Sequence, residues 1–196
     1  MVAVANANAT FADLLARPDC TQSLLQTHLD ALDVEERVRQ CRALGKKQQR
    51  RLWEVSAEAP AFTLEDLIPS SATAEVRWAG KNSLPLFTHF EKRFFRQSGT
   101  VVGYNFNPGI AWFTGPGYFT TVQAPGKPKE ILFDYTQVPS VAPSGWPAVK
   151  PNTGGTGKLV YGGMHDFCRR VCQTVIIGAA TRLGKPIDAY FVLART

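Results

Sequence analysis

Residues near the C-terminus include side chains that commonly carry acid–base or nucleophilic chemistry. His165 and Asp166 are adjacent, Arg169 follows, and Cys168 and Cys172 lie in the same segment. Histidine is a frequent general base, and a cationic neighbour can lower the pKa of a thiol. One hypothesis is therefore an enzyme with a polar centre at His165, Asp166 and Arg169. A packed helix with buried cysteines explains the same residues, and we favour that interpretation.

The same segment also suggests a soft metal ion. On a helix, His165, Cys168 and Cys172 would share one face, and zinc prefers nitrogen and thiolate ligands. Structural zinc sites usually take four ligands from two separated pairs, and Cys20 and Cys41 are too widely spaced to form a second pair. We predict no metal and no cofactor.

Aromatic residues are concentrated in residues 100–135, between turns rich in proline and glycine. In a curved sheet their rings could enclose a small apolar or aromatic ligand, although a packed core explains the same rings somewhat better. The leading hypothesis is non-enzymatic binding of such a ligand, lined by Tyr104, Trp112 and Tyr118. The Pro- and Gly-rich residues 137–157 would cover the mouth of the site.

One segment accounts for the net positive charge of the chain. The formal net charge is +6, and residues 37–51 carry seven cations without an acid. Such a segment can bind an anionic macromolecule, or it can be a solvated helix face. An interaction module is therefore a third hypothesis, and the residues that would dock the anionic partner are Arg37, Arg42, Lys46, Lys47, Arg50 and Arg51.

Apolar spacing in the first sixty residues is typical of helices. Leu25, Leu29 and Leu32 recur at helical intervals, and Thr21 and Asp33 are suitable N-cap residues. Thr63 is expected to cap one further helical turn. We expect residues 1–10 to be disordered and residues 11–196 to form one domain.

The remainder of the chain indicates antiparallel strands. Short β-branched and aromatic runs bounded by turns occupy residues 100–135, with further strands expected at 74–78, 159–161, 174–181 and 187–194. Apolar residues stand side by side in these runs, which indicates that both faces of the sheet are covered. Residues 86–96 and 164–172 have apolar positions at helical spacing, so we predict helices there.

Together these patterns predict an α+β fold in which a helical N-terminal third packs on an antiparallel, partly closed, barrel-like sheet. No run approaches the roughly 18 apolar residues of a membrane span, and the N-terminus lacks the features of a signal peptide. We therefore expect a cytoplasmic protein with reduced cysteines. The sequence leaves the ligand, the strand order and the oligomeric state open.

Overall fold

The computed structural model describes residues 9–85, 88–107 and 115–196. Its centre is a closed antiparallel barrel in which each strand pairs with the next and the last strand pairs with the first. The strands are β1 Val76–Asn82, β2 His89–Gln97, β3 Thr100–Phe106, β4 Phe119–Gln123, β5 Ile131–Asp134, β6 Met164–Cys172, β7 Val175–Arg182 and β8 Lys185–Arg195.

Helices precede the barrel in the chain, as expected. The helices are α1 Phe11–Ala16, α2 Gln22–Asp30, α3 Val34–Ala43, α4 Lys46–Val55, α5 Leu64–Leu67 and, between β5 and β6, α6 Gly157–Tyr161. The side chains of Thr21, Asp33 and Thr63 accept hydrogen bonds from backbone N–H groups in the first turns of α2, α3 and α5. The predicted N-caps are therefore confirmed.

Helices α1 to α4 cover the outer face of part of the barrel. Leu25, Leu29 and Leu52 are fully buried there and share one apolar cluster with Val175 and Val192 of β7 and β8. This packing leaves the barrel interior as a second, separate apolar cluster. The predicted arrangement of a helical N-terminal third on a barrel-like sheet is confirmed, and the barrel is closed.

The segment that contains α5 closes one end of the barrel. Phe62 and Leu67 are fully buried in the interior cluster. The backbone N–H of Phe62 donates to the carbonyl of Lys129 in the β4–β5 connection at 3.1 Å. The indole N–H of Trp78 donates to the carbonyl of Leu67 at 3.2 Å. Any space inside the barrel must therefore open at the opposite end.

Three sequence predictions of local structure were wrong. Residues 164–172 form β6, most of residues 86–96 form β2, and residues 159–161 belong to α6. In β2, Phe90 and Phe94 are four residues apart, which fits a helix face and also fits alternate positions of a strand. The inward residue between them is Lys92, and this buried charge hides the alternation that identifies a strand.

Two further expectations fall partly outside the described residues. The predicted disorder of residues 1–10 covers residues 1–8, which lie outside them, and residues 108–114 of the predicted strand region 100–135 lie outside them as well. Within the described residues, no helix combines the length and the apolarity needed to cross a bilayer. All four cysteines are buried and free of disulfides.

Candidate functional site

A cavity of about 460 Å³ lies inside the barrel at the end opposite α5. Its walls are mostly apolar and include Phe90, Met164, Ala180 and Phe191. Four polar residues at its inner end come from four different strands or strand ends, and we name them the Lys92 cluster. Its members are Lys92, Asn105, Tyr135 and Asp166.

Lys92 is the central residue of the cluster. Its side chain is 2% exposed, and its ammonium donates hydrogen bonds to Asn105 Oδ1 at 2.8 Å and to the Tyr135 hydroxyl. The third contact, to Asp166 Oδ2, measures 3.4 Å. One lysine of β2 therefore links β3, the end of β5 and β6 across the barrel interior.

Five aromatic rings lie close to the Lys92 ammonium. The ring centroids of Phe119, Phe191 and Tyr135 lie 4.8, 5.0 and 5.1 Å from Nζ, and those of Phe90 and Phe133 lie slightly farther away. Ring faces attract a cation most strongly when it is desolvated. The amine is therefore held among aromatic rings and the three polar side chains of the Lys92 cluster.

Burial sets the electrostatics of this cluster. Desolvation lowers the pKa of Lys92 and raises the pKa of Asp166, because it disfavours the charged form of each group. Their mutual attraction opposes both shifts, but a distance of 3.4 Å exceeds the 2.7–2.9 Å or so of a strong charged hydrogen bond. Both groups are thus closer to neutrality than an exposed lysine and aspartate.

Asp166 has one oxygen engaged and one without a partner. Oδ2 contacts Lys92 and lies 3.2 Å from the Tyr135 hydroxyl. Oδ1 is buried and has no hydrogen-bond partner among the described residues. Burial raises the pKa of Tyr135 well above its ordinary value, so this hydroxyl remains protonated and can donate. The cluster therefore offers hydrogen-bonding capacity beside the cavity.

The open end of the cavity has an apolar rim. Leu84 and Val160 line the cavity and are also exposed, and the neighbouring Leu159 and Leu183 are 73% and 82% exposed. The Arg182 guanidinium donates to the carbonyls of Leu159 and Val160 at 3.0 Å, which fixes α6 beside the β7–β8 turn. An apolar molecule entering the barrel would pass these side chains.

The aromatic residues that we predicted to bind a ligand lie elsewhere. Tyr104 and Tyr118 pack against Trp146 on the outer face of the sheet, with ring centroids 4.6 and 6.2 Å from that of Trp146, and neither lines the cavity. Trp112 lies outside the described residues. The Tyr118 hydroxyl donates to the carbonyl of Pro147, so part of residues 137–157 covers this outer cluster.

The predicted polar centre is divided between the two faces of β6. Asp166 points into the barrel, whereas His165 lies outside, 3.1 Å from Asp134. Arg169 also lies outside, where it bonds Glu130 at 2.8 Å and stacks on Trp53. Adjacent strand residues face opposite sides, so the structure does not bring this trio together.

The described residues contain no group of three or more potential ligands arranged to hold a metal.

Several cations of the basic segment have partners within the chain. Arg37 donates to the carbonyl of Leu29 at 2.9 Å, and Lys46 and Arg50 both pair with Asp188 of β8. Arg51 lies 3.6 Å from Glu54. Arg42 and Lys47 belong to α3 and α4. Docking of an anionic partner through this segment stays a prediction.

Sequence reasoning missed three members of the Lys92 cluster, namely Lys92, Asn105 and Tyr135. A signal for Lys92 does exist, because a lysine placed between Phe90 and Phe94 is expected to be inward-facing if the segment is a strand. No comparable signal marks Asn105 or Tyr135, whose roles depend on strand pairing.

Comparisons with protein-family models, with curated proteins and with solved structures found no match for this chain.

Proposed function

We propose that this protein binds a small, largely apolar molecule in the barrel cavity, with the polar end of the ligand at Lys92 and Asp166. The observation that carries the proposal is the combination of apolar walls with a buried, incompletely paired charge at the inner end. Apolar pockets with a few convergent polar groups are typical of ligand sites.

The size of the cavity supports this function. Eight-stranded barrels are just wide enough either for their own side chains or for one small ligand. Here the walls contributed by β7 and β8 include the small residues Ala180 and Ala189. The resulting volume of about 460 Å³ falls within the range of about 300–1,000 Å³ that is usual for small-molecule sites.

The Lys92 cluster supports a ligand with a hydrogen-bonding group at one end. Lys92 and Tyr135 can donate, and Asp166 Oδ1 can accept when it is ionised. A hydroxyl at the end of an apolar body would match both requirements, and a carbonyl would match the donors alone. A wholly apolar ligand would leave the buried carboxyl oxygen unpaired, which costs free energy.

Titration with the uncharged fluorescent probe N-phenyl-1-naphthylamine tests this function. Ala180→Phe places a ring in the cavity, because Ala180 is a nearly buried wall residue. Val122→Phe adds the same apolar bulk to an exposed position of β4 and serves as the matched control. We expect saturable binding to the wild type and to Val122→Phe, and strongly weakened binding to Ala180→Phe.

Equal probe binding by all three proteins would place the probe outside the cavity and would refute the proposal. Thermal unfolding of each variant shows whether it is folded. If Ala180→Phe does not fold, Ala180→Leu, which adds less volume, replaces it in the same comparison.

A further inference from the structure

We propose that Lys92 captures its ligand covalently and reversibly, by condensing its amine with an aldehyde or ketone of the ligand to form an imine, with Asp166 as the counterion. This inference rests on the proposed function, because the carbonyl must first enter the same cavity. It adds a chemical class for the ligand and a reactive atom, Lys92 Nζ.

The position of Lys92 supports this chemistry. Its amine lies at the inner end of a cavity that opens at one end of the barrel; its side chain is 2% exposed, and the ring centroids of Phe119 and Phe191 lie 4.8 and 5.0 Å from Nζ. A carbonyl carbon at the end of an apolar ligand would therefore meet the amine in a poorly hydrated space. Exclusion of water also protects an imine from hydrolysis.

The protonation state of the pair supports nucleophilic attack. An amine attacks only when its lone pair is free, and burial lowers the pKa of Lys92. Desolvated lysines are accordingly the usual amine nucleophiles of Schiff-base chemistry. The proton that Lys92 gives up has an acceptor 3.4 Å away in Asp166, whose pKa burial raises.

The step balances without any further reactant. Lys92 first transfers one proton to Asp166, and its nitrogen then forms a bond to the carbonyl carbon. The carbon–oxygen bond breaks, and the oxygen leaves as water with the two remaining amine protons. Asp166 returns its proton to the imine nitrogen, so that a protonated imine and a carboxylate face each other.

The geometry of Asp166 fits a counterion. One of its oxygens already contacts Lys92 Nζ, and the hydroxyl of Tyr135 lies 3.2 Å from that oxygen. The other oxygen has no partner in the described part of the chain. A carboxylate held in this way stabilises a positive charge on the nitrogen whether that nitrogen is an ammonium or a protonated imine.

The experiment uses 4-(dimethylamino)cinnamaldehyde, whose protonated imine absorbs at longer wavelength than the free aldehyde. Sodium cyanoborohydride then reduces the imine to a stable secondary amine, and peptide mass mapping locates the adduct. We expect a red-shifted absorbance and one adduct, on Lys92. The variant Lys158→Met, which removes an exposed lysine beside the rim, should leave both signals unchanged.

Two variants separate the roles within the pair. Lys92→Met combined with Asp166→Asn removes the amine without leaving a buried carboxylate, and we expect loss of the adduct. Asp166→Asn alone keeps the amine, so the adduct should still form, but the red shift at neutral pH should be lost because the imine no longer has a counterion.

The outcomes distinguish this inference from the proposed function. The corresponding alcohol, 4-(dimethylamino)cinnamyl alcohol, lacks a carbonyl and reports reversible binding by displacing N-phenyl-1-naphthylamine. If the alcohol binds but the aldehyde leaves no adduct on Lys92, covalent capture is refuted and ligand binding stands. Adducts confined to surface lysines refute capture equally. If neither the alcohol nor the naphthylamine probe binds in the cavity, the proposed function fails together with the inference.

Discussion

At the scale of single residues, the Lys92–Asp166 pair is a source of instability inside an otherwise apolar barrel. Removing two charges from water costs several kcal/mol per ion, and a pair offsets this cost only when its geometry is excellent. The separation of 3.4 Å, and the lack of any partner for Asp166 Oδ1 among the described residues, depart from such geometry. Buried groups of this kind with shifted pKa values are typical of functional sites.

Replacement of the pair should therefore raise stability while removing function. Lys92→Met alone leaves Asp166 buried beside apolar rings, and we expect the free energy of unfolding to fall by about 3 kcal/mol. The double change Lys92→Met with Asp166→Leu should restore or exceed wild-type stability, because it removes both desolvated charges. Urea unfolding measures this, with the exposed Lys158→Met as control. A double variant no more stable than the single one would contradict the assignment of the pair as destabilising.

The raised pKa of Tyr118 predicts how the stability of the protein changes in alkaline solution. Burial raises its pKa from 10.0 to about 12, so between these values the folded state holds the proton that the unfolded chain releases. The contribution of Tyr118 to stability is therefore complete below pH 10 and is lost as the pH rises towards 12. The thermal midpoint should fall less steeply over this range in Tyr118→Phe than in the wild type. Identical slopes would show that Tyr118 titrates normally.

At the scale of elements, features that depend on neighbouring residues in the chain could be predicted from the sequence. Contacts between strands that are far apart in the chain could not. The caps Thr21, Asp33 and Thr63 act within one helical turn, so the sequence contains all the information needed to place them. Strand β2 was mistaken for a helix because it carries the charge of Lys92 inwards. Strand β6 was mistaken for a helix because it buries residues on both faces. Lys92 meets Asp166 only through barrel closure, across 74 residues of chain, and no local pattern records that contact.

Gly178 of β7 leaves the space that the ring of Phe191, a residue of the cavity wall, occupies. A Cβ atom at Gly178 would overlap the ring of Phe191, which faces it from β8 and lines the cavity. Gly178→Ala should therefore displace this ring, lower the free energy of unfolding by about 1–3 kcal/mol and weaken probe binding. Gly154→Ala is the matched control, because a Cβ there has open space and the backbone φ is ordinary. Equal stability of the two variants, measured in urea, would refute the close packing of β7 on β8.

At the scale of the whole molecule, one end of the barrel remains accessible because the helices pack elsewhere. Helices α1 to α4 pack outside, and the segment with Phe62 closes the far end, so neither fills the space above the Lys92 cluster. A barrel-like sheet with external helices could be predicted in outline, because aromatic runs without alternation require apolar contact on both faces, but the closure of the barrel could not. The location of its cavity depends on which residues face inwards, and that follows from strand register.

The central claim is that the barrel cavity holds a small molecule, and native mass spectrometry tests it most directly. The purified protein would be incubated with an organic extract of its expression host, desalted, weighed and then extracted to identify what was bound. We expect a discrete added mass on the wild type and on Val122→Phe, and none on Ala180→Phe. The same added mass on Ala180→Phe, or none on the wild type, would contradict the claim.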